Sequence, residues 1–344
     1  MLRRSLAVLG MACVLAGCAA NVPREYNDQG VFYQKKGLFD QAIAEYTRAI
    51  GADPRYALAY YNRGRAYFEK EQYDRALADY DKAIEAAPGF AGAFNNRGIV
   101  YFMKEQYDRA LADYTRAIEL DPGYTNAYEN RGFAYSAKGL YDLALADYDR
   151  AIALAPSNGR ILSLRGGVEV AKGQLDRAIV DYTSALESNP RDAATYYARG
   201  SAYDKKARYD RAIADFTKAL EINPGQAMLY YVRGDVYSQM GYYENAVSDY
   251  TRNIELDPKH SESYNNRGLA YYQMGQFSKA LNDYDKALQL DPENCKTLFN
   301  KALACEGAGL KKEAAEAYRE ILKYSPITEP YYGYALKRVK ELKN

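Results

Sequence analysis

Tryptophan is absent from the 344 residues, and histidine occurs once, at His260, in the loop after Pro258. There is also no Cys/His cluster, no glycine-rich phosphate loop and no insertion large enough for a second domain. Catalysis needs a positioned nucleophile, base or metal. Paired carboxylates do occur, but they recur in every unit of the chain as solvated helix faces. The expectation is therefore a protein that is not an enzyme and takes no cofactor, metal or small-molecule substrate. Net charge is lacking too: 46 basic residues stand against 45 acidic ones. No field of either sign favours nucleic acid.

What the chain has instead is a period. Prolines at 54, 88, 122, 156, 190, 224, 258, 292 and 326 are each 34 residues apart, without an insertion or deletion. A period this regular means a repeat array. Each unit is numbered here so that its proline is position 32, and units then start at 23, 57, 91, 125, 159, 193, 227, 261 and 295. In the third unit an aromatic stands at position 4 (Phe94), glycine at 8 (Gly98) and tyrosine at 11 (Tyr101). Aromatics follow at 17 (Tyr107) and 24 (Tyr114), with alanine at 20 (Ala110) and 27 (Ala117). Steps of 3, 4 and 7 predict two amphipathic helices per unit, one with a core face at 4, 8 and 11 and one at 17, 20, 24 and 27. Gly98 and Ala110 lack bulk where the helices cross. Proline ends the second helix because it has no N–H and pushes its predecessor out of the α region.

This pattern resembles the tetratricopeptide repeat, over nine units from Pro23 to Thr328. The resemblance implies an all-α solenoid of helix-turn-helix units in a right-handed superhelix, with first helices lining a concave groove that binds peptide or protein segments. Residues 329–344, which contain "LKRVKELKN", look like the capping helix such arrays need. The ninth unit departs from the pattern, with Ala302, Cys305 and Ile321 at signature positions, as end units do. Unit five also departs, at Gly166, Gly167 and Glu169, which reads either as drift or as a flexible joint over Arg160 to Lys172.

Position 7, usually apolar in this family, is Arg63, Arg97, Arg131, Arg165, Arg199, Arg233 and Arg267 in units two to eight. Position 23 is Asp79, Asp113, Asp147, Asp181, Asp215, Asp249 and Asp283 in the same units. Where the arginine is missing, so is the aspartate: unit one has Gln29 with Glu45, and unit nine has Lys301 with Ala317. With the turn centred near position 15.5, positions 7 and 23 lie nearly level on the antiparallel helices. A structural Arg–Asp ladder, within or between successive units, is the expectation.

Positions 2, 5, 6, 9, 12 and 13 lie opposite the core face of the first helix, where the family has its groove. Position 6 is Asn62, Asn96, Asn130, Asn266 and Asn300, interrupted by Leu164, Ala198 and Val232. An amide offers a donor and an acceptor together, which suits a grip on a peptide backbone; equally, it could satisfy neighbouring helix ends. Phe68, Ile99, Phe102, Met103 and Phe133 add apolar surface on the same face, as a contact patch or as packing between first helices. The Lys/Asn carboxylate clamp of some relatives is not matched, because position 5 is Tyr61 and Asn95 and position 9 is Arg65 and Ile99.

Arg3 and Arg4 precede an apolar run from Leu6 to Ala16 that is too short to cross a bilayer and suits a secretory signal. It ends in Leu15-Ala16-Gly17-Cys18, which resembles the lipobox of bacterial lipoproteins. The resemblance implies cleavage after residue 17, acylation of Cys18 and a short linker over 18–22. Ala19 after the cysteine points to the outer membrane facing the periplasm, with the inner membrane as the alternative. Cys295 and Cys305 lie ten residues apart on one predicted helix, about 15 Å along its axis, so they cannot pair there. They read as apolar fillers, with an intermolecular disulfide as the alternative. Together these features suggest a membrane-anchored interaction scaffold of the cell envelope, or a periplasmic chaperone or an outer-membrane, secretion or pilus assembly factor.

Overall fold

The computed structural model describes residues 22–342. The lipobox, with Cys18, lies outside the described residues. The described chain is helical throughout: α1 covers 22–35, followed by α2 (Phe39–Ala52), α3 (Ala57–Glu69), α4 (Tyr73–Ala86), α5 (Ala91–Met103), α6 (Tyr107–Leu120), α7 (Thr125–Ala137), α8 (Tyr141–Leu154) and α9 (Gly159–Ala171). Then come α10 (Leu175–Ser188), α11 (Ala193–Lys205), α12 (Tyr209–Ile222), α13 (Ala227–Gln239), α14 (Tyr243–Leu256), α15 (Ser261–Gln273), α16 (Phe277–Leu290), α17 (Cys295–Gly307), α18 (Lys311–Tyr324) and α19 (Pro330–Glu341). The chain forms two compact units, one ending at Val168 and one beginning at Glu169.

Two backbone devices set the period. At position 15 the chain takes a left-handed residue between the paired helices. Gly37, Gly139, Gly173, Gly241, Gly275 and Gly309 have φ from 72° to 78°, while Glu71, Glu105 and Ala207 adopt 57°, 58° and 53°. At position 31 the residue before proline caps the second helix outside the α region, with φ between −132° and −140° from Asp53 to Asp291. Proline disfavours the α region in its predecessor.

The core is built from position 24, whose ring is fully buried at Tyr46, Tyr80, Tyr114, Tyr148, Phe216, Tyr250, Tyr284 and Tyr318. Glycine at position 8 makes room for it: a Cβ on Gly98 would lie 2.7 Å from Tyr114 Cε1. One part of the expected core face needs correction. Position 8 is buried, but positions 3 and 10 (Ala93 and Val100 in the third unit) are fully buried, whereas Phe94 and Tyr101 at positions 4 and 11 are only half-buried. The reason is the arginine between them. The Arg97 guanidinium stands 5.5 Å from the Phe94 ring centroid and 5.9 Å from that of Tyr101, so these rings flank a cation instead of filling the interior.

Candidate functional site

The arginines at position 7 form one repeated contact. Arg63, Arg97, Arg131, Arg199, Arg233 and Arg267 each grip the aspartate of their own repeat with two parallel bonds, Nε to Oδ2 at 2.8 Å and Nη2 to Oδ1 at 2.7–2.8 Å. The partners are Asp79, Asp113, Asp147, Asp215, Asp249 and Asp283. This bidentate fork is the strong form of the pair, and it keeps the guanidinium charged. The remaining nitrogen, Nη1, reaches back to position 25 of the preceding repeat: Thr47, Asp81, Thr115, Thr183, Thr217 and Thr251 lie at 2.6–3.0 Å. Arg165 makes the same backward bond to Asp149 at 2.6 Å, and Asp181 is buried. In the ninth unit Lys301 reaches Asp285 at 2.6 Å. Position 25 was missed in the sequence, although it is always Thr or Asp from unit one to unit eight. Each arginine thus clips two repeats together, and none of these groups is available to a ligand.

The opposite face of the first helices is where a ligand has room. Positions 5, 6, 9, 12 and 13 of α3, α5 and α7 converge on a cleft of about 620 Å³, closed on one side by Arg160 at the start of α9. Ile99, Phe102, Met103 and Phe133 line it. Met103 is 53% exposed and Phe133 46%, and the Phe102 and Phe133 rings lie 5.3 Å apart. Phe68 does not line this cleft: it is half-buried, with its ring 5.7 Å from Tyr73 and packed against the core cluster that holds Tyr80. Asn62 borders a smaller cavity of about 290 Å³ together with Val31, Phe39 and Arg65. Asn266 and Asn300 belong to the second compact unit, the one beginning at Glu169.

The position-6 amides are largely spent between repeats. Asn62 Nδ2 donates to Asn27 Oδ1 at 2.9 Å. In the large cleft the donors run in one direction: Asn130 Nδ2 to Asn95 Oδ1 (2.9 Å), Asn95 Nδ2 to Asn96 Oδ1 (3.1 Å) and Asn96 Nδ2 to Tyr61 Oη (3.1 Å). Position 6 of one repeat lies beside position 5 of the one before, so each of these amides spends one N–H inside the protein. The signal in the sequence was the doublet, Asn95-Asn96 and Asn265-Asn266. In the second unit Asn300 Nδ2 donates to Asn265 Oδ1 (3.0 Å) and Asn265 to Asn266 (2.9 Å).

Charge at the large cleft is sparse. Glu129 is buried, and burial pushes its carboxyl above the usual range, partly offset by Arg160 at 3.1 Å. Arg65 is exposed, with its guanidinium 5.9 Å from the Tyr61 ring centroid. His260 sits in the second unit, edge-on to Tyr231 and 2.8 Å from Ser263 Oγ. Among the described residues no group of three or more His, Cys, Asp or Glu is arranged to hold a metal ion, and no helix is long and apolar enough to cross a membrane. Cys305 is buried and Cys295 half-buried, both as free thiols.

Three family models match the chain. One described as Tetratricopeptide repeat matches residues 91–124, 125–158, 193–226 and 261–294, another of the same description matches 28–91, and one described as TPR repeat matches 166–207 and 234–275. No curated protein matches the chain significantly in sequence. Among solved structures, the C-terminal part of a TPR repeat-containing protein from Cytophaga hutchinsonii superposes with a TM-score of 0.61 at 20% identity, over 71% of this chain and 98% of its own. A tetratricopeptide repeat protein from Parabacteroides merdae gives 0.52 at 20% identity, over 74% and 99%. YrrB, a TPR protein with a peptide-binding site described as unusual, gives 0.47 at 27% identity, over 54% and 95%. The family models together span more than half of the sequence, the helix pairs keep its 34-residue period, and the chain belongs to the tetratricopeptide repeat family.

Proposed function

We propose that this protein is a non-catalytic interaction scaffold whose cleft over α3, α5 and α7 takes an extended peptide or protein segment. The carrying observation is the grouping of Met103, Phe133, Phe102 and Ile99, with two of the four substantially exposed, around a cleft of about 620 Å³. Solvated apolar groups gathered in a concavity favour an apolar partner side chain. The amides beneath them are already bonded to one another, so apolar contact supplies the affinity and the amide chain supplies a rigid floor. The proposal includes the N-terminal address: acylation at Cys18 tethers the scaffold to the bacterial envelope, at the outer membrane facing the periplasm.

A photoreactive residue in place of Met103, irradiated in cells and followed by mass spectrometry, tests the binding. A few recurrent partners are expected; a broad smear of unrelated extended chains would favour a chaperone, and no adduct would remove the site. Cys18→Ser tests the address separately. It should move the protein from the membrane to the soluble fraction, and continued membrane retention would contradict acylation.

A further inference from the structure

We propose, resting on the peptide-binding reading of the cleft, that the corner formed by Tyr61 and Arg65 selects a segment carrying an acidic side chain close to its apolar anchor.

The first observation is the direction of the amide chain. Each N–H from Asn130 through Asn95 to Asn96 donates towards Tyr61 Oη. That oxygen is therefore an acceptor inside the protein, and its own proton finds no protein acceptor among the described residues. The chain ends in an outward donor. Gly92 keeps it approachable, because a Cβ there would come 3.6 Å from Tyr61 Oη and 3.2 Å from Phe90.

The second observation is charge. Arg65 stands one helical turn after Tyr61 and makes no ion pair with a carboxylate among the described residues. Its positive field reaches the phenols of Tyr46, Tyr80 and Tyr124, opposing the rise that burial gives them. Glu129 is the carboxylate lining the large cleft, and it is buried against Arg160. Glu69 and Lys35 border the adjoining smaller cavity, which Arg65 also lines, and Glu69 makes no ion pair with Arg65 among the described residues. A ligand entering the large cleft thus meets the Tyr61 hydroxyl and a guanidinium without an ion-pair partner side by side. Two such donors match a carboxylate.

The third observation is an internal comparison. Five repeats further on, Tyr231, Asn265, Asn266 and Asn300 occupy the same register and form the same donor chain, ending at Tyr231 Oη (3.3 Å). There Arg65 is replaced by Asp235, Gly92 by Glu262 and Phe90 by His260. Asp235 Oδ1 accepts from Asn266 Nδ2 at 3.0 Å and from Tyr250 Oη at 2.6 Å. The second unit fills this corner with its own carboxylate, and the first unit leaves the equivalent corner without one. The same frame therefore already accommodates the group that a ligand would bring to Tyr61 and Arg65.

The test uses the full chain and fluorescein-labelled synthetic peptides with an Ala/Gly/Ser background, one fixed Phe, and Glu, Gln or Lys scanned through the other positions. Affinities are read by anisotropy for the wild type, Arg65→Gln and Tyr61→Phe, with melting temperatures as the folding control. At one spacing from Phe, Glu should bind about threefold tighter than Gln, the scale of one exposed ion pair, and tighter still than Lys. That preference should fade as salt is raised and be lost in Arg65→Gln. Tyr61→Phe, which removes only the hydroxyl, should reduce it while Phe-dependent binding stays. If Phe peptides bind but are indifferent to charge, or if Arg65→Gln keeps the Glu preference, the acidic selection is wrong and the peptide-binding reading stands. If no peptide binds at any position, the binding reading falls and this inference with it.

Discussion

At the scale of the residue, the arginine at position 7 does three jobs that a lysine could not combine. Its fork holds the aspartate of its own repeat, its third nitrogen holds Thr or Asp of the repeat before, and its flat faces rest between two rings. Asp147 is 5% exposed. Removing its partner strands a buried carboxylate, so Arg131→Ala should lower stability by about 3–5 kcal/mol, whereas Arg131→Met with Asp147→Leu should come out near neutral. Urea unfolding of the three proteins checks this, and a loss below about 1 kcal/mol for Arg131→Ala, typical of an exposed pair, would contradict it. Glu129 gives a pH dependence. Its carboxyl is raised in the folded state by burial, so its contribution to stability is full below its unfolded value of about 4.3 and is lost as pH rises through the higher folded value. Arg160 is 77% exposed and loses little when its partner goes. Glu129→Gln should therefore gain on the wild type between acid and neutral pH, as read from melting temperatures, and a variant that falls further behind at neutral pH would refute the assignment.

At the scale of the element, the helix pair was legible because its spacing constraints repeat in sequence: Gly98 under Tyr114, and proline keeping the cap outside the α region. The co-occurrence of arginine at 7 and aspartate at 23 was legible for the same reason. The assignment of core faces was less so, because the aromatics at 4 and 11 outweighed the small Ala and Val at 3 and 10 in a reading by size. The small residues face the preceding repeat, where Val100 packs with Ala76 and Tyr80 of α4, and the rings are held half-out by the arginine. The amides were legible only in part: periodicity places Asn96 on the groove face, where it lines the cleft, but does not place it beside Tyr61 of the previous repeat. The turn at position 15 yields a further expectation. Ala207 adopts φ 53° where six other repeats use glycine, and a side chain in the left-handed region costs about 1–2 kcal/mol. Ala207→Gly should raise stability by up to about 1 kcal/mol after the entropy of glycine is set against that, while Gly98→Ala should destabilise by about 1–3 kcal/mol through overpacking against Tyr114. Denaturant midpoints of the two variants should move in opposite directions.

At the scale of the whole molecule, an array of units that bury their faces only on neighbours needs a polar end. The helix α19 supplies one, laying Ala335 and Val339 on Tyr318 and Ile321 and fixing Arg338 to Glu306 through Nε at 3.0 Å and Nη2 at 2.5 Å. A chain ending at residue 329 should melt earlier and aggregate, and an unchanged melting curve would show that the helix does not cap the array. The interior of the array is committed to holding itself together: rings at position 24, arginine clips, amides bonded across repeats. Met103 and Phe133 in the first-unit cleft are apolar side chains not committed in this way. The most direct test of its role is methyl NMR of Met103 in the full chain, with the signal assigned by Met103→Leu, during titration with a pool of Phe-containing synthetic peptides. A saturable shift of the Met103 methyl, abolished by Phe133→Glu in a protein of unchanged melting temperature, is the expected result. A Met103 signal that does not move while peptides bind elsewhere, or no binding at all, would contradict the account.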